Sequence, residues 1–100
     1  MLQVTGRATQ ELRNLLEENE IEPGAALRLN KNSSGSLEFA VALTQEGDQV
    51  VLHEDRKVLL VDKELSAALT GVQMDVEETE KGSQFVLASL SPPDGRNNGA

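Results

Sequence analysis

The most informative part of the sequence reads Val58-Leu59-Leu60-Val61-Asp62 and leads on to Gly71-Val72. A run of four apolar residues that includes β-branched side chains is typical of a strand. Asp62 stands where a helix N-cap would stand, because its carboxylate can accept a hydrogen bond from a free backbone N–H. Three apolar residues at helical spacing then predict a short helix; they are Leu65, Ala68 and Leu69. The helix should end near Gly71, because glycine is favoured directly after a helix.

The chain before this stretch begins with a short strand and a longer helix. Residues 2–4 can form an edge strand, and the hydroxyl of Thr5 is suited to cap a helix. The helix is expected over residues 6–19, because apolar side chains recur there at helical spacing; they are Ala8, Leu12, Leu15 and Leu16. Pro23 and Gly24 then predict a reversal of the chain.

Alternation of apolar and polar residues predicts two strands in the next part of the chain. Leu27 and Leu29 alternate with Arg28 and Asn30, and a longer alternation follows with Leu37, Phe39, Val41 and Leu43. A period of two predicts that each strand has one buried face. The small polar residues at 32–36 between them predict a flexible loop.

The remaining segments complete a mixed α/β (α+β) domain over residues 1–90. Apolar segments at 50–53 and 58–61 flank a polar hairpin tip, and two further alternating segments follow residue 71 and residue 82. We expect a small, largely antiparallel β structure of about seven strands with two helices. Residues 91–100 contain no large apolar side chain, and we expect this tail to be disordered.

The charge of the chain argues against two classes of partner. Its formal net charge is −8 and its pI is about 4.5. Proteins that bind nucleic acids obtain most of their affinity from clustered Lys and Arg, and membrane surfaces are anionic and repel an acidic protein. We therefore expect neither a nucleic-acid nor a membrane partner. The sequence shows no long apolar run and no signal-peptide pattern at its N-terminus, so a cytoplasmic location is expected.

The 100 residues contain no cysteine. Disulfides, thiolate metal sites, thiol nucleophiles and cysteine-ligated iron–sulfur clusters all require one. All four chemistries are therefore excluded for this chain.

Two sets of residues could be candidate metal or catalytic sites, and we interpret both as ordinary structure. His53 could be a metal ligand or a base, but it is the single histidine and has no spaced second ligand, so we interpret it as a strand-end residue. Glu77, Glu78 and Glu80 could bind a hard cation. Adjacent strand residues point to opposite faces, however, so a solvated strand end is the better interpretation.

Hydroxyls on the loop at 32–36 do not predict an enzyme. Ser33, Ser34 and Ser36 lie there without the Gly-x-Ser-x-Gly pattern of a nucleophile elbow. No nucleophile and base pair is visible elsewhere. We therefore predict a non-enzymatic protein with no catalytic residue and no metal site.

The order of these features resembles the HesB/IscA-like family, the A-type iron–sulfur carriers. The resemblance covers roughly residues 2–90, and the strand–helix–strand stretch at 58–72 is its most specific part. The other parts are Val4-Thr5 with the helix that follows, Ala26-Leu27-Arg28-Leu29, Ser34-Gly35-Ser36 and the turn from Gly82 to Phe85. Any one of these features is weak, and their order and spacing carry the resemblance.

The resemblance implies three cysteines that this chain lacks. In the family, a Gly-Cys pair follows the Leu-Arg strand, and counting forward from Arg28 puts Ser36 at the cysteine. A Cys-Gly-Cys pair ends the family's last segment, and counting from Phe85 puts Asp94-Gly95-Arg96 there. The positions that match the lost cysteines are thus Ser36, Asp94 and Arg96. A serine hydroxyl is a harder donor than a thiolate and is almost fully protonated near neutral pH, so we expect no cluster and no other cofactor.

Two functional hypotheses follow. The first is a cysteine-free relative of the carriers that acts as an accessory or binding module, with a protein partner from iron–sulfur assembly, and that could also form a homodimer. The second is a domain that kept the carrier fold and now serves general protein interaction or structure.

Overall fold

The computed structural model describes residues 1–90. Over that range it contains seven strands and two helices, which confirms the predicted α+β domain and the order of its elements. In chain order they are β1 (Gln3–Val4), α1 (Gly6–Glu18), β2 (Ala25–Lys31), β3 (Leu37–Leu43), β4 (Gln49–His53), β5 (Arg56–Val61), α2 (Lys63–Ala68), β6 (Val72–Thr79) and β7 (Gly82–Ser89).

The strands form two sheets. The larger sheet has the order β3-β2-β5-β4 and the smaller one the order β1-β6-β7. The pairs β2–β3, β4–β5 and β6–β7 are antiparallel, whereas β1–β6 and β2–β5 are parallel. The prediction of a largely antiparallel structure is confirmed.

Both helices begin at the predicted caps. The Thr5 hydroxyl accepts a hydrogen bond from the Ala8 N–H at 3.1 Å, and an Asp62 carboxylate oxygen accepts one from the Leu65 N–H at 2.8 Å. Each bond satisfies one of the backbone donors that a helix leaves unpaired at its first turn. Neither helix within residues 1–90 is both long and apolar enough to cross a bilayer.

The core lies where α1 meets strands of both sheets. The buried face of α1 carries Ala8, Leu12 and Leu16, all with no exposed surface, and the helix contacts β2, β4, β5 and β6. The run at 58–61 at the end of β5 is also wholly buried. At the other end of the core, Phe39 and Phe85 join the two sheets edge to face, with ring centroids 5.2 Å apart.

The expectation of one buried face per strand is wrong for β2 and for half of β3. In β2 the side chain of Arg28 is buried along with Leu27 and Leu29, because the connection between β3 and β4 lies against it. In β3 the side chains of Val41 and Leu43 are 54% and 67% exposed. Phe39 in the first half of the strand contacts Phe85 of the smaller sheet, whereas the described residues leave the side chains of the second half largely uncovered.

Candidate functional site

The loop in which the resemblance predicts the family's first cysteine is the tight connection between β2 and β3. Asn32 organises it: its amide oxygen accepts hydrogen bonds from the Ser34 N–H, the Ser34 hydroxyl and the Ser36 N–H at 3.0, 2.7 and 3.0 Å. The Asn32 N–H donates to the Ser36 carbonyl at 2.8 Å and closes the hairpin. Gly35 has a φ of +89°, a conformation that glycine adopts without strain. Loop 32–36 is therefore held by its own hydrogen bonds, with Ser36 exposed at its end.

Loop 32–36 lies on the same side of the domain as part of the last strand. Leu37, the residue after Ser36, lines a cavity of about 170 Å³ between the sheets. Phe85 and Leu87 of β7 line the same cavity. Strand β7 and the residue that follows loop 32–36 therefore border one cavity.

The other two positions predicted to match lost cysteines, Asp94 and Arg96, lie outside the described residues, as does the whole tail that was expected to be disordered.

A buried ion pair fixes the connection at 44–48, which must cross one face of the larger sheet because β3 and β4 form its opposite edges. Arg28 donates two parallel hydrogen bonds to the Asp48 carboxylate, at 3.0 and 2.6 Å, and a third to the Leu43 carbonyl at 3.2 Å. The Asp48 side chain is only 2% exposed. Such a bidentate pair is both strong and directional, so it sets where the connection lies on the sheet.

The ion pair also changes the protonation chemistry of its carboxylate. The hydrogen bonds from Arg28 lower the pKa of Asp48, against the opposing effect of burial, and the Gln45 N–H adds a further bond at 2.7 Å. Hydrogen bonds from the Thr5 hydroxyl and the Val76 N–H likewise lower the pKa of Asp75. Both carboxylates are stabilised in the charged form and serve as structural acceptors.

Sequence reasoning missed the roles of Asn32 and Asp48. An arginine inside an apolar strand signals that a carboxylate partner is needed, since a buried charge is costly without one. Asp48 is 20 residues away from Arg28, however, and nothing local distinguishes it among 17 acidic residues.

His53 is the last residue of β4, as predicted, and its ring is held by the first helix. Its Nδ1 lies 3.2 Å from the Thr9 hydroxyl oxygen. That hydroxyl donates its hydrogen to the Gly6 carbonyl at 2.9 Å, so it accepts a hydrogen bond from His53 Nδ1–H. The arrangement ties the hairpin of β4 and β5 to α1, which is a structural role.

The acidic residues at 77–80 form an exposed strand end, as predicted. Glu77 and Glu78 are opposite Gln84 and Ser83 in the β6–β7 ladder, so their side chains point to opposite faces. Glu78 accepts a hydrogen bond from the Ser83 hydroxyl at 2.8 Å. Within residues 1–90, no three acidic or histidine side chains come close enough together to hold a metal ion.

The donors available in this chain do not fit an iron–sulfur cluster. Clusters are held by thiolates, and the sequence contains none. Ser36, which is predicted to match the family's first ligand, is exposed and offers only a neutral hydroxyl oxygen. A cluster therefore has no ligand set within this chain of the kind that the family uses.

The fold is that of the A-type iron–sulfur proteins. It resembles the crystal structure of IscA with the [2Fe-2S] cluster, with a TM-score of 0.57 at 20% identity over 89% of this chain and 85% of that one. It also resembles Escherichia coli SufA, with a TM-score of 0.62 at 18% identity over 88% and 84% of the two chains. A protein from Aquifex aeolicus solved by NMR gives a TM-score of 0.58 at 22% identity over 88% and 90%.

Sequence comparison also identifies a related protein. The chain is 34% identical over 87 residues to the iron–sulfur cluster insertion protein ErpA of Marinobacter nauticus. The matched region covers 83% of this chain and 78% of that protein. No protein-family model matches the chain. On the ErpA relationship, the chain belongs to the HesB/IscA-like family of A-type iron–sulfur carriers.

Proposed function

We propose that this chain is a non-enzymatic accessory or binding module of iron–sulfur assembly that does not itself ligate a cluster. The observation that carries the proposal is a domain of the carrier family whose 100 residues include no cysteine. The ErpA relative and the structures of IscA and SufA support a place near cluster assembly. The partner is then a protein of that pathway.

A domain without cluster ligands can keep the surface that a protein partner would contact. The strand order, both helix caps and the Arg28–Asp48 pair depend on no cysteine. A surface that binds the proteins of that pathway can persist in a domain whose fold depends on no cysteine. A module that binds the same proteins without a cluster can therefore retain the fold and lack the thiolates.

Anaerobic reconstitution with ferrous iron and sulfide tests the proposal directly. The parent protein should remain colourless after desalting, because it has no thiolate donor. A variant with Ser36→Cys, Asp94→Cys and Arg96→Cys should acquire visible absorption if these positions match the family's ligands. The first change is nearly isosteric and lies in a loop, so it should cost less than ~1 kcal/mol.

A matched control keeps the number of cysteines and moves one of them. In this control Ser83→Cys replaces Ser36→Cys. Ser83 is also a serine but lies outside loop 32–36, at the start of β7 beside the hairpin that joins β6 and β7. Absorption in the first triple variant alone supports the lost site. A coloured parent protein overturns the proposal, and a folded but colourless triple variant refutes the assignment of the three positions.

The second candidate is a carrier fold repurposed as a general protein-interaction or structural module. The exposed apolar side chains of Val41 and Leu43 favour it, because neighbouring exposed apolar side chains can form a contact surface for a protein partner. Deleting the gene separates the two candidates. Lower activity of iron–sulfur enzymes in the deletion strain supports the first candidate, and unchanged activity supports the second.

A further inference from the structure

The two edges of the larger sheet are protected differently. The outer strands are β3 and β4. Strand β4 is interrupted by a register shift between Val51 and Leu52, and such bulges hinder pairing with another strand. Strand β3 pairs with β2 in an unbroken register from Leu37 to Leu43. Within residues 1–90 no strand pairs with its other side, so the edge is open to a further strand.

The side chains of β3 also leave this edge open. The strand contains no proline, no glycine and no lysine, the residues that commonly prevent pairing at a sheet edge. Val41 is 54% exposed and Leu43 is 67% exposed on one face, and Ala40 is exposed on the other. A strand added at this edge can therefore bury apolar surface on the face of Val41 and Leu43.

The opposite face of the edge is acidic. Glu38 shares that face with Ala40, because alternate residues of a strand point to the same side. Connection 44–48 crosses the same face, since it is bound to Arg28, which is opposite Ala40 in the ladder. Glu46 is exposed in this connection. Two carboxylates thus border the face that carries the small side chains.

A third carboxylate lies near the far end of the strand. Leu43 is opposite Ala25, whose N–H donates to the carbonyl of the exposed Glu22 at 3.0 Å. None of these three glutamates forms an ion pair within residues 1–90. The Lys57 ammonium donates to the Thr44 hydroxyl at 3.1 Å rather than to any of them. The apolar edge is therefore bordered by unpaired negative charge.

We propose that β3 binds a segment of a protein partner as an additional strand, and that this segment alternates apolar residues with lysine or arginine. Its apolar side chains lie beside Val41 and Leu43, and its basic side chains lie on the face of Glu38 and Glu46. Hydrogen bonds between the two main chains supply affinity, and the alternation of side chains supplies specificity. The inference rests on the proposed role as a binding module and adds the chemistry of the partner.

Charge complementarity identifies the segment as basic. An acidic segment would place like charges beside Glu38 and Glu46, and like charges on neighbouring strands are destabilising. A wholly apolar segment would leave both carboxylates without a partner. A basic segment pairs with them, and the net charge of −8 also attracts it over a longer range and speeds association.

Fluorescence anisotropy with labelled peptides tests the chemistry of the segment. The probe is a peptide of alternating valine and lysine that is long enough to span β3. One control has the same composition with all valines before all lysines, and another alternates valine with glutamate. The alternating valine–lysine peptide should bind most tightly, and added salt should weaken it. Equal binding of either control overturns the proposal.

Two variants with the same net charge test the place of binding. Val41→Lys puts an ammonium on the apolar face of the edge and should raise the dissociation constant of the valine–lysine peptide roughly tenfold or more. Leu52→Lys is the matched control, because Leu52 is 55% exposed on the other edge strand, and it should change the constant much less. An equal loss in both variants would show that the peptide responds only to net charge, and would refute the site.

Hydrogen exchange of the unsubstituted protein gives a second test that does not depend on how well Val41→Lys folds. Saturation with the valine–lysine peptide should slow the exchange of the β3 amides that point away from β2, and leave the amides of β4 unchanged. Protection at β4 instead would refute the site. Protection of β3 that grows with protein concentration and is unaffected by the peptide would identify a second copy as the occupant, and would overturn the proposal.

These outcomes can be told apart from failure of the proposed function. Reconstitution with iron and sulfide depends on the cluster ligands and not on the edge of β3. A protein that stays colourless but does not bind the valine–lysine peptide refutes only the strand addition at β3. A coloured parent protein that binds the peptide at β3 refutes only the proposed loss of cluster binding.

Discussion

The two connections of β3 are built by opposite means. Loop 32–36, which precedes the strand, is exposed and is closed by hydrogen bonds that the Asn32 amide oxygen accepts from residues at most four positions away. Connection 44–48, which follows it, crosses the sheet and is fixed by the buried pair of Arg28 and Asp48, 20 residues apart. The crossing decides the strand order of the larger sheet, whereas loop 32–36 only joins neighbouring strands.

This difference separates the part of the fold that must be kept from the part that can change. An exposed loop with local hydrogen bonds tolerates substitution because few other residues depend on it. A buried charge tolerates little, because the loss of its partner leaves it uncompensated. A cysteine in loop 32–36 can therefore be lost without loss of the fold.

The largest expected effect is in connection 44–48. Asp48→Asn should lower the free energy of unfolding by about 3 kcal/mol, since Arg28 would remain buried without a carboxylate. Glu54→Gln is the matched control: Glu54 also lies 2.6 Å from an arginine, Arg13, but its side chain is 74% exposed. Exposed pairs contribute little, so this change should stay within ~0.5 kcal/mol. Urea denaturation of both variants measures the difference, and equal losses would contradict it.

The same pair predicts how stability depends on pH. Because folding lowers the pKa of Asp48, its stabilising contribution is complete above the unfolded value of about 3.9 and is lost as the pH falls through the folded value. The difference in unfolding free energy between the parent protein and Asp48→Asn should therefore be constant above pH ~5 and shrink in more acidic solution.

Comparison with the Asp48→Asn variant removes the titration of all other carboxylates, including Asp75, whose pKa is also lowered. A difference that keeps its full size at the acid end of the titration would show that Asp48 does not stabilise the domain as a carboxylate.

The smallest effect is expected in loop 32–36. Asn32→Ala removes the acceptor of three hydrogen bonds at an exposed site and should cost about 1 kcal/mol. The amides of Ser34 and Ser36 should then exchange with solvent faster, as followed by NMR. Asn14→Ala is a suitable control, because the Asn14 amide oxygen accepts one exposed bond from Gln10. A loss as large as that of Asp48→Asn would show that loop 32–36 also determines the fold.

Much of the candidate site could be predicted from the sequence, since its position depends on local patterns. The strand around Leu29, the small polar residues of loop 32–36 and the strand that starts at Leu37 place Ser36 between two strands, and the structure places it there. The role of Asn32 was not predicted, because small polar residues in a row do not show which one accepts the hydrogen bonds. The cavity beside Leu37 was also not predicted, because β7 lines its other side.

The order of the elements, both helix caps and the absence of thiolate chemistry follow from the amino-acid sequence, because each depends on residues a few positions apart or on composition alone. The tertiary structure alone decided that Asp48 is the partner of Arg28 and that β2 is buried on both faces. It also decided that Val41 and Leu43 remain exposed although their alternation predicts burial. These outcomes depend on which strands pair and where the second sheet ends. Such contacts join residues far apart in the chain, so no local pattern records them.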